Sequence, residues 1–205
     1  MRSREPTVFV VDDDPAMRNS LRWLIESIGL TVKTAASADE FLRSYDPEAP
    51  GCLVLDMRMP GMSGLDLQSE LAARRIGLPI LIITGFAEVP LAVRAMKAGA
   101  FDFIEKPFSD QTLLDRIRKA IDADAEARRT RDERRAVKAR FAQLSPRERL
   151  IMEGVIAGNS NKMIADELAL SIKTVEVHRS RVMEKTKAAS LVDLIRLSVI
   201  ASQPD

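Results

Sequence analysis

The stretch Cys52-Leu-Val-Leu-Asp-Met-Arg-Met-Pro-Gly-Met-Ser-Gly64 decides the fold. Its first four residues are apolar and read as a buried strand, which ends abruptly in the carboxylate of Asp56. In parallel α/β sheets the carboxyl ends of the strands line the functional crevice. Pro60, Gly61 and Gly64 then make a turn, and Ser63 with Asp66 gives the start signal of a helix. The pattern occurs a second time, where Val8-Phe-Val-Val11 runs into Asp12, Asp13 and Asp14. Two strand ends side by side crowd these carboxylates. Their repulsion calls for a cation, and hexacoordinate Mg²⁺ suits an all-oxygen site.

The same alternation extends over the first ~120 residues. Short apolar runs at 7–11, 31–35, 52–55, 79–83 and 101–104 are strand candidates, with helix patterns between them. The first helix is capped by Asp14, opens with Pro15, ends at Gly29 and carries Met17, Leu21, Leu24, Ile25 and Ile28 at helical spacing. Further helices are expected at about 37–43, 63–74, 88–98 and from 109 onward. The fold class is α/β, a five-stranded doubly wound parallel sheet with every strand ending on one rim. That rim gains two more groups: Thr84 follows Ile80-Leu-Ile-Ile83, and Lys106 follows the fifth strand, near Phe103.

From Asp122 to Arg140 the chain is rich in Ala, Arg and acidic residues and lacks Gly and Pro, which favours a helical connector. Val137, Phe141 and Leu144 give it one short apolar stripe. Ser145-Pro-Arg-Glu148 then combines an N-cap, a first-turn proline and a capping-box glutamate. Four short helices fit 146–157, 161–168, 171–187 and 190–201, an all-α domain too small for most catalytic outputs. The domain boundaries are thus 1–122, 123–143 for the connector, and 144–205.

The net charge is +1, and no apolar stretch approaches the ~20 residues of a membrane span. The N-terminal apolar run is too short for a signal peptide. The single cysteine, Cys52, sits in a strand pattern and excludes an internal disulfide. A reducing, cytoplasmic setting without membrane association is expected. Within residues 171–187, Lys173, Arg179, Arg181, Lys185 and Lys187 face only Glu176 and Glu184. If Ile172, Val175 and Val182 turn inward, the outer face shows Lys173, Glu176, Val177, Ser180 and Arg181, side chains suited to a major groove. On periodicity alone, a generic bundle with a solvated helix face fits as well.

The motifs Val-Val-Asp-Asp-Asp, Leu-Asp-Met-Arg-Met-Pro-Gly, Ile-Thr-Gly and Phe-Ile-Glu-Lys-Pro-Phe resemble the receiver domain of two-component response regulators, over about residues 5–122. The resemblance implies that Asp56 accepts a phosphoryl group from a sensor histidine kinase. It implies Mg²⁺ held by Asp13, Asp56 and the backbone carbonyl of Arg58, with Asp12 assisting through water. Thr84 would hydrogen-bond the phosphoryl group, Lys106 would pair with it, Phe103 would rotate on activation, and the Lys106–Pro107 peptide would be cis. Leu144-Ser-Pro-Arg-Glu-Arg, Gly158-Asn-Ser-Asn-Lys-Met-Ile-Ala165 and Ser171-Ile-Lys-Thr-Val-Glu-Val-His178 are similar to the LuxR-type helix-turn-helix. Together the two halves resemble the NarL/FixJ class, FixJ-like branch. That implies double-stranded promoter DNA as ligand, with Glu176, Val177 and Ser180 near bases and Lys173, Thr174 and Arg179 near phosphates. Homodimerisation on phosphorylation is also expected, because one nearly neutral module attracts DNA weakly and two linked modules hold it better; the candidate interface is the face around Leu91, Val93, Arg94, Met96, Lys97 and Phe103, and RNA polymerase is a further candidate partner. The chain is expected to be a regulator, not a turnover enzyme. A phosphohydrolase lacks support because no Asp-x-Asp-x-Thr/Val follows the first strand, and an RNA-binding output lacks it because the Thr-Val-Glu-Val-His helix suits duplex DNA.

FixJ-like receivers commonly carry a polar residue, often His, two positions past the switch threonine; here it is Phe86. Phenylalanine cannot orient an attacking water. Replacing Phe86 with His is expected to speed the decay of radiolabelled phosphoprotein in the absence of kinase, and equal decay would make Phe86 a neutral loop residue.

Overall fold

A computed structural model describes residues 5–85 and 89–203, and only the backbone of 89–92. Phe86 and the side chain of Leu91 therefore lie outside the described residues. The chain divides into two compact units, Met1–Arg128 and Arg129–Asp205.

In the first unit, β1 (Thr7–Val11), α1 (Pro15–Glu26), β2 (Thr31–Ala35), α2 (Ala38–Ser44), β3 (Gly51–Asp56), α3 (Gly64–Ala73), β4 (Ile80–Thr84), α4 (Val89–Lys97) and β5 (Asp102–Glu105) alternate. The strands form one sheet, in the order β2-β1-β3-β4-β5, with every pairing parallel. β1 and β3 are neighbours, and Val11 pairs with Leu55. The next residue of each strand, Asp12 and Asp56, therefore meets at the same level of the rim. The order reverses direction between β1 and β3, the switch point at which such sheets bind ligands.

Alternation sorts the strand side chains onto two faces. Phe9, Val11, Leu53, Leu55 and Ile82 pack on one side with Phe41, Leu67 and Leu71. Val8, Val10, Cys52, Val54, Leu81 and Ile83 pack on the other with Leu21, Ile25, Leu113 and Ile117. Helices cover both faces, so the central strands read as unbroken apolar runs. The strand bounds shift by a residue from those expected: β3 begins at Gly51 and includes Asp56, and β4 includes Thr84. Gly51, at φ +145°, is required by crowding, because a Cβ there would lie 1.8 Å from the carbonyl oxygen of Thr7.

α5 (Asp110–Ala142) is a single helix that runs through the connector segment. Its beginning belongs to the first unit. Asp124, 1% exposed, accepts hydrogen bonds from the Gly51 amide at 2.8 Å and from Arg128 Nε at 2.8 Å. The same guanidinium donates to the carbonyls of Ala49 at 2.7 Å, Glu48 at 3.2 Å and Pro47 at 3.4 Å. Its end belongs to the second unit, where Val137 and Phe141 are buried with Leu144.

In that second unit, α6 (Pro146–Ile156), α7 (Asn161–Leu168), α8 (Ile172–Thr186) and α9 (Leu191–Ser202) enclose Ile151, Val155, Ile164, Val175, Val182 and Leu194. Each helix starts on a serine whose hydroxyl accepts a backbone N–H. The turn between α7 and α8 passes through Ala169 in the left-handed conformation, φ 53°.

Asp124→Ala would leave the Gly51 amide and the Arg128 guanidinium without their carboxylate. Breaking a buried pair of this kind costs about 3 kcal/mol. Urea unfolding of the variant is expected to show a loss of that order; a change under about 0.5 kcal/mol, the range of ordinary surface substitutions, would mean that the clamp contributes little.

Candidate functional site: an acidic rim and an exposed helix face

The β1–α1 turn is held firmly. Asp12 Oδ1 accepts from the Asp14 amide at 2.8 Å, Asp14 Oδ1 accepts from the Ala16 amide at 2.8 Å, and Arg18 donates to the Asp12 carbonyl at 2.7 Å. The turn after β3 folds back on itself, with the Gly64 amide donating to the Met57 carbonyl at 3.1 Å. A Cβ at Gly64 would lie 2.6 Å from the Asp56 carbonyl oxygen. Between these turns lies Asp56, half-buried at the end of β3. Its Oδ2 accepts from the Arg58 amide at 2.8 Å, and its Oδ1 accepts from Lys106 Nζ at 2.6 Å.

Lys106 reaches this point because β5 lies beside β4. Its backbone amide donates to the Thr84 carbonyl at 2.8 Å, and the Lys106–Pro107 peptide is cis, as the resemblance implied. Its ammonium also lies 3.6 Å from Asp12 Oδ2. Burial alone would lower the Lys106 pKa; the hydrogen bond and charge of Asp56, with Asp12 behind them, outweigh burial and raise it. Asp12 is 3% exposed, and burial pushes its carboxyl upward. The Asp14 amide opposes that shift, and the charges of Asp56 and Asp13 add to it. Thr84 is fully buried, with its hydroxyl 3.4 Å from the Gly85 carbonyl. Phe103 is half-buried against the core face that contains Ile82, its cross-strand partner. Asp13 is exposed.

Among the described residues, no group of three metal-capable side chains stands ready-made. The rim nevertheless fits a hard cation. Asp12 Oδ2 is buried and receives no hydrogen bond, and a second carboxylate lies across the same ammonium. Mg²⁺ typically takes only one or two carboxylates and completes its shell with water and other oxygens.

In the second unit the outer face of α8 shows Lys173, Glu176, Val177, Ser180 and Arg181 exposed, while Val175 and Val182 are buried. Ile172 departs from expectation. It is 47% exposed, because it occupies the first helical position, where the chain has just left Ser171 and the core begins only at Val175. Thr174 is half-buried, and its hydroxyl shares a 2.8 Å hydrogen bond with Ser171. Arg179 donates to Asn161 on α7 at 3.1 Å, which ties the two helices together. His178 is half-buried, and its Nδ1 has no hydrogen-bond partner. Exposed Val177, at 46%, offers a methyl surface beside the polar side chains.

The sequence pattern did not disclose what holds α8 in place. Lys185 donates to Glu148 Oε2 at 2.6 Å and to the Gln143 carbonyl at 3.3 Å. By local spacing Glu148 is only a cap. It does cap, accepting from the Ser145 amide at 2.8 Å, but its 37-residue separation from Lys185 carries no local signal.

Residues 8–118 match the response regulator receiver domain, and residues 142–198 match the bacterial regulatory proteins of the luxR family. The chain belongs to the response regulators. It is 48% identical to Nodulation protein W of Bradyrhizobium diazoefficiens, over 96% of this chain and 86% of that protein. It is 48% identical to the transcriptional regulatory protein FixJ of Azorhizobium caulinodans, over 95% of this chain and 92% of that protein. Among solved structures, the response regulator StyR superposes with a TM-score of 0.88 at 46% identity, covering 95% of this chain and 98% of that one. Full-length FixJ from B. japonicum gives 0.61 at 45% identity, covering 99% and 100%. This response regulator is therefore of the FixJ-like branch, a phosphorylation-dependent transcription regulator with a receiver and a LuxR-type DNA-binding domain. A receiver implies a sensor kinase as partner and acidic residues that bind Mg²⁺ at the phosphorylation site. Among the described residues, no helix is long and apolar enough to cross a membrane.

The Lys185 hydrogen bond, with the Ser145 amide behind it, holds the Glu148 carboxyl down from its ordinary 4.5 to about 2. A depressed carboxyl contributes stability that is present above its unfolded value and lost as pH falls through its folded value. The stability advantage of the wild type over Glu148→Gln is thus expected to shrink between about pH 4.5 and 2. Urea midpoints read from α6 and α8 amide resonances check this; a constant difference across that window would refute it.

Proposed function

We propose that Asp56 is the phosphoacceptor and that the rim around it is a two-state switch controlling DNA binding by α8. The observation that carries this reading is the Asp56 carboxylate at the β1/β3 switch point, with Lys106 Nζ 2.6 Å from one oxygen and the Arg58 amide 2.8 Å from the other. A carboxylate is a weak nucleophile, so the site has to supply orientation and positive charge. Asp56 forms a bond from one carboxylate oxygen to phosphorus as the P–N bond of the kinase phosphohistidine breaks. The product is an acyl phosphate. Lys106 stays paired with the site through the charge change, and Thr84 presents its hydroxyl to the new phosphoryl oxygens.

In this reading Asp12, Asp13, Asp56 and the Arg58 carbonyl are the groups that would hold Mg²⁺. When bound, the ion neutralises charge on the phosphoryl oxygens. The added charge draws Thr84 and Lys106 inward, and Phe103 rotates with them. This is a local electrostatic event that biases α4 and β5. Val93, Arg94, Met96 and Lys97, all exposed on α4, then form with Phe103 the face of a homodimer.

On DNA, Glu176, Val177 and Ser180 meet base edges. Arg181 meets guanine or phosphate, and Lys173, Thr174 and Arg179 lie near phosphates. Two linked modules raise affinity by effective concentration. RNA polymerase is the partner at the promoter, the setting is cytoplasmic, and the chain gains and loses its own phosphoryl group without acting as a turnover enzyme.

The test is incubation with acetyl phosphate and Mg²⁺, followed by intact mass and sedimentation. The wild type is expected to gain one phosphoryl group and to dimerise, and Asp56→Asn to do neither. An Asp56→Asn protein that still gains one phosphoryl group would sink the assignment. A phosphorylated wild type that sediments as a monomer at DNA-binding concentrations would sink the dimer.

A further inference from the structure

The stretch of α5 that belongs to the second unit carries a charge pattern that the DNA-reading helix does not explain. Between residues 129 and 140 there are six Lys and Arg but only two acidic residues, Asp132 and Glu133. Helical spacing places Arg131, Arg134, Arg135 and Lys138 on one face as i, i+3, i+4 and i+7. Glu133 projects from the opposite side, and Asp132 stands at the margin. Arg131 and Arg135 are exposed and Arg134 is half-buried. None of these three arginines makes an ion pair or side-chain hydrogen bond with a described residue.

Such an arrangement is unfavourable on its own. Like charges at i, i+3 and i, i+4 repel, and here Arg131 stands at both spacings, to Arg134 and to Arg135, within about one turn and with no ion pair to a described residue. A polyanion lying along the helix turns that repulsion into attraction. The rest of the unit makes the need plain: residues 144–205 hold nine Lys and Arg against eight Asp and Glu. A module so nearly neutral releases few counterions from DNA by itself. The basic face also lies in the right unit. Residues 129–205 are compact together, and Lys185 of α8 donates to the carbonyl of Gln143, just past the end of α5.

We propose that the Arg131–Arg134–Arg135 face of α5 is a second DNA-contacting surface, which meets the phosphodiester backbone flanking the sequence read by α8. It supplies affinity that is independent of sequence, while α8 supplies specificity. The inference rests on α8 being a DNA reader.

The test uses the full chain, phosphorylated with acetyl phosphate and Mg²⁺, and a mixed-sequence duplex of about 40 base pairs, with affinity measured from about 50 to 200 mM KCl. Three proteins are compared: the wild type, Arg131→Gln/Arg134→Gln/Arg135→Gln, and a control, Lys33→Gln/Arg43→Gln/Lys119→Gln, which removes three exposed charges from the first unit. Glutamine keeps helix propensity, and circular dichroism checks that α5 persists. Each phosphate contact contributes about 0.9 to the slope of log affinity against log salt. The α5 variant is expected to lose about 2 to 3 from that slope and at least about tenfold in affinity at the lowest salt. The control is expected to match the wild type. An α5 variant with the wild-type slope would overturn the proposal and leave the face to a protein partner, and equal flattening in the control would overturn it as a mere effect of net charge. A wild type that fails to bind the duplex at the lowest salt would refute the DNA-binding reading itself.

Discussion

The ammonium of Lys106, 2.6 Å from Asp56 and 3.6 Å from Asp12, is the contact on which the rim of the first unit depends. It brings together chain segments separated by 50 residues from Asp56 and 94 from Asp12. It exists only because β1, β3, β4 and β5 are parallel neighbours that end on one rim. Parallel pairing requires a crossover helix between successive strands, and those helices in turn bury both faces of the sheet. The apolar runs that fill the core and the polar residues that follow them are therefore two products of one topology. The ammonium also makes the crowding tolerable. With Asp12 buried and one of its oxygens without a donor, the carboxylates would otherwise be held together against their own repulsion.

The second unit solves a different problem. Here α8 presents one face to solvent without losing its place. Val175 and Val182 anchor it from within, Arg179 reaches to Asn161, and Lys185 reaches to Glu148 and the Gln143 carbonyl. Glu148 thus fixes the start of α6 and the end of α8 with one carboxylate. The exposed face between these anchors is left free of structural duty, so Glu176, Val177 and Arg181 can vary without disturbing the core.

Much of this was legible in the sequence because it is local or periodic. Strand runs, caps at Asp14, Ser63 and Ser145, and the alternation of elements all follow from patterns a few residues long. The rim was legible for a related reason: strand ends are marked by a change from apolar to charged residues, and topology does the rest. What escaped was non-local or set by burial at an end. Ile172 looks like a core residue by type, yet the helix has barely begun there and nothing covers it. Asp124 and Arg128 look like one more solvated i, i+4 pair in a charged connector. Their burial depends on a bend of chain some 75 residues earlier, whose carbonyls and amide they satisfy.

That last pair changes how the molecule divides. The receiver match closes at residue 118, and composition draws the domain's edge near 122, but the hydrogen bonds of Gly51, Ala49 and Glu48 are completed only at Asp124 and Arg128. The first strand pair of the central sheet is therefore finished by side chains that arrive after every other element of its unit. During synthesis the whole sheet emerges from the ribosome before the residues that satisfy its loop and the opening amide of β3. A receiver cut at its apparent edge reproduces that unfinished state permanently, with a glycine amide and a row of carbonyls left to water.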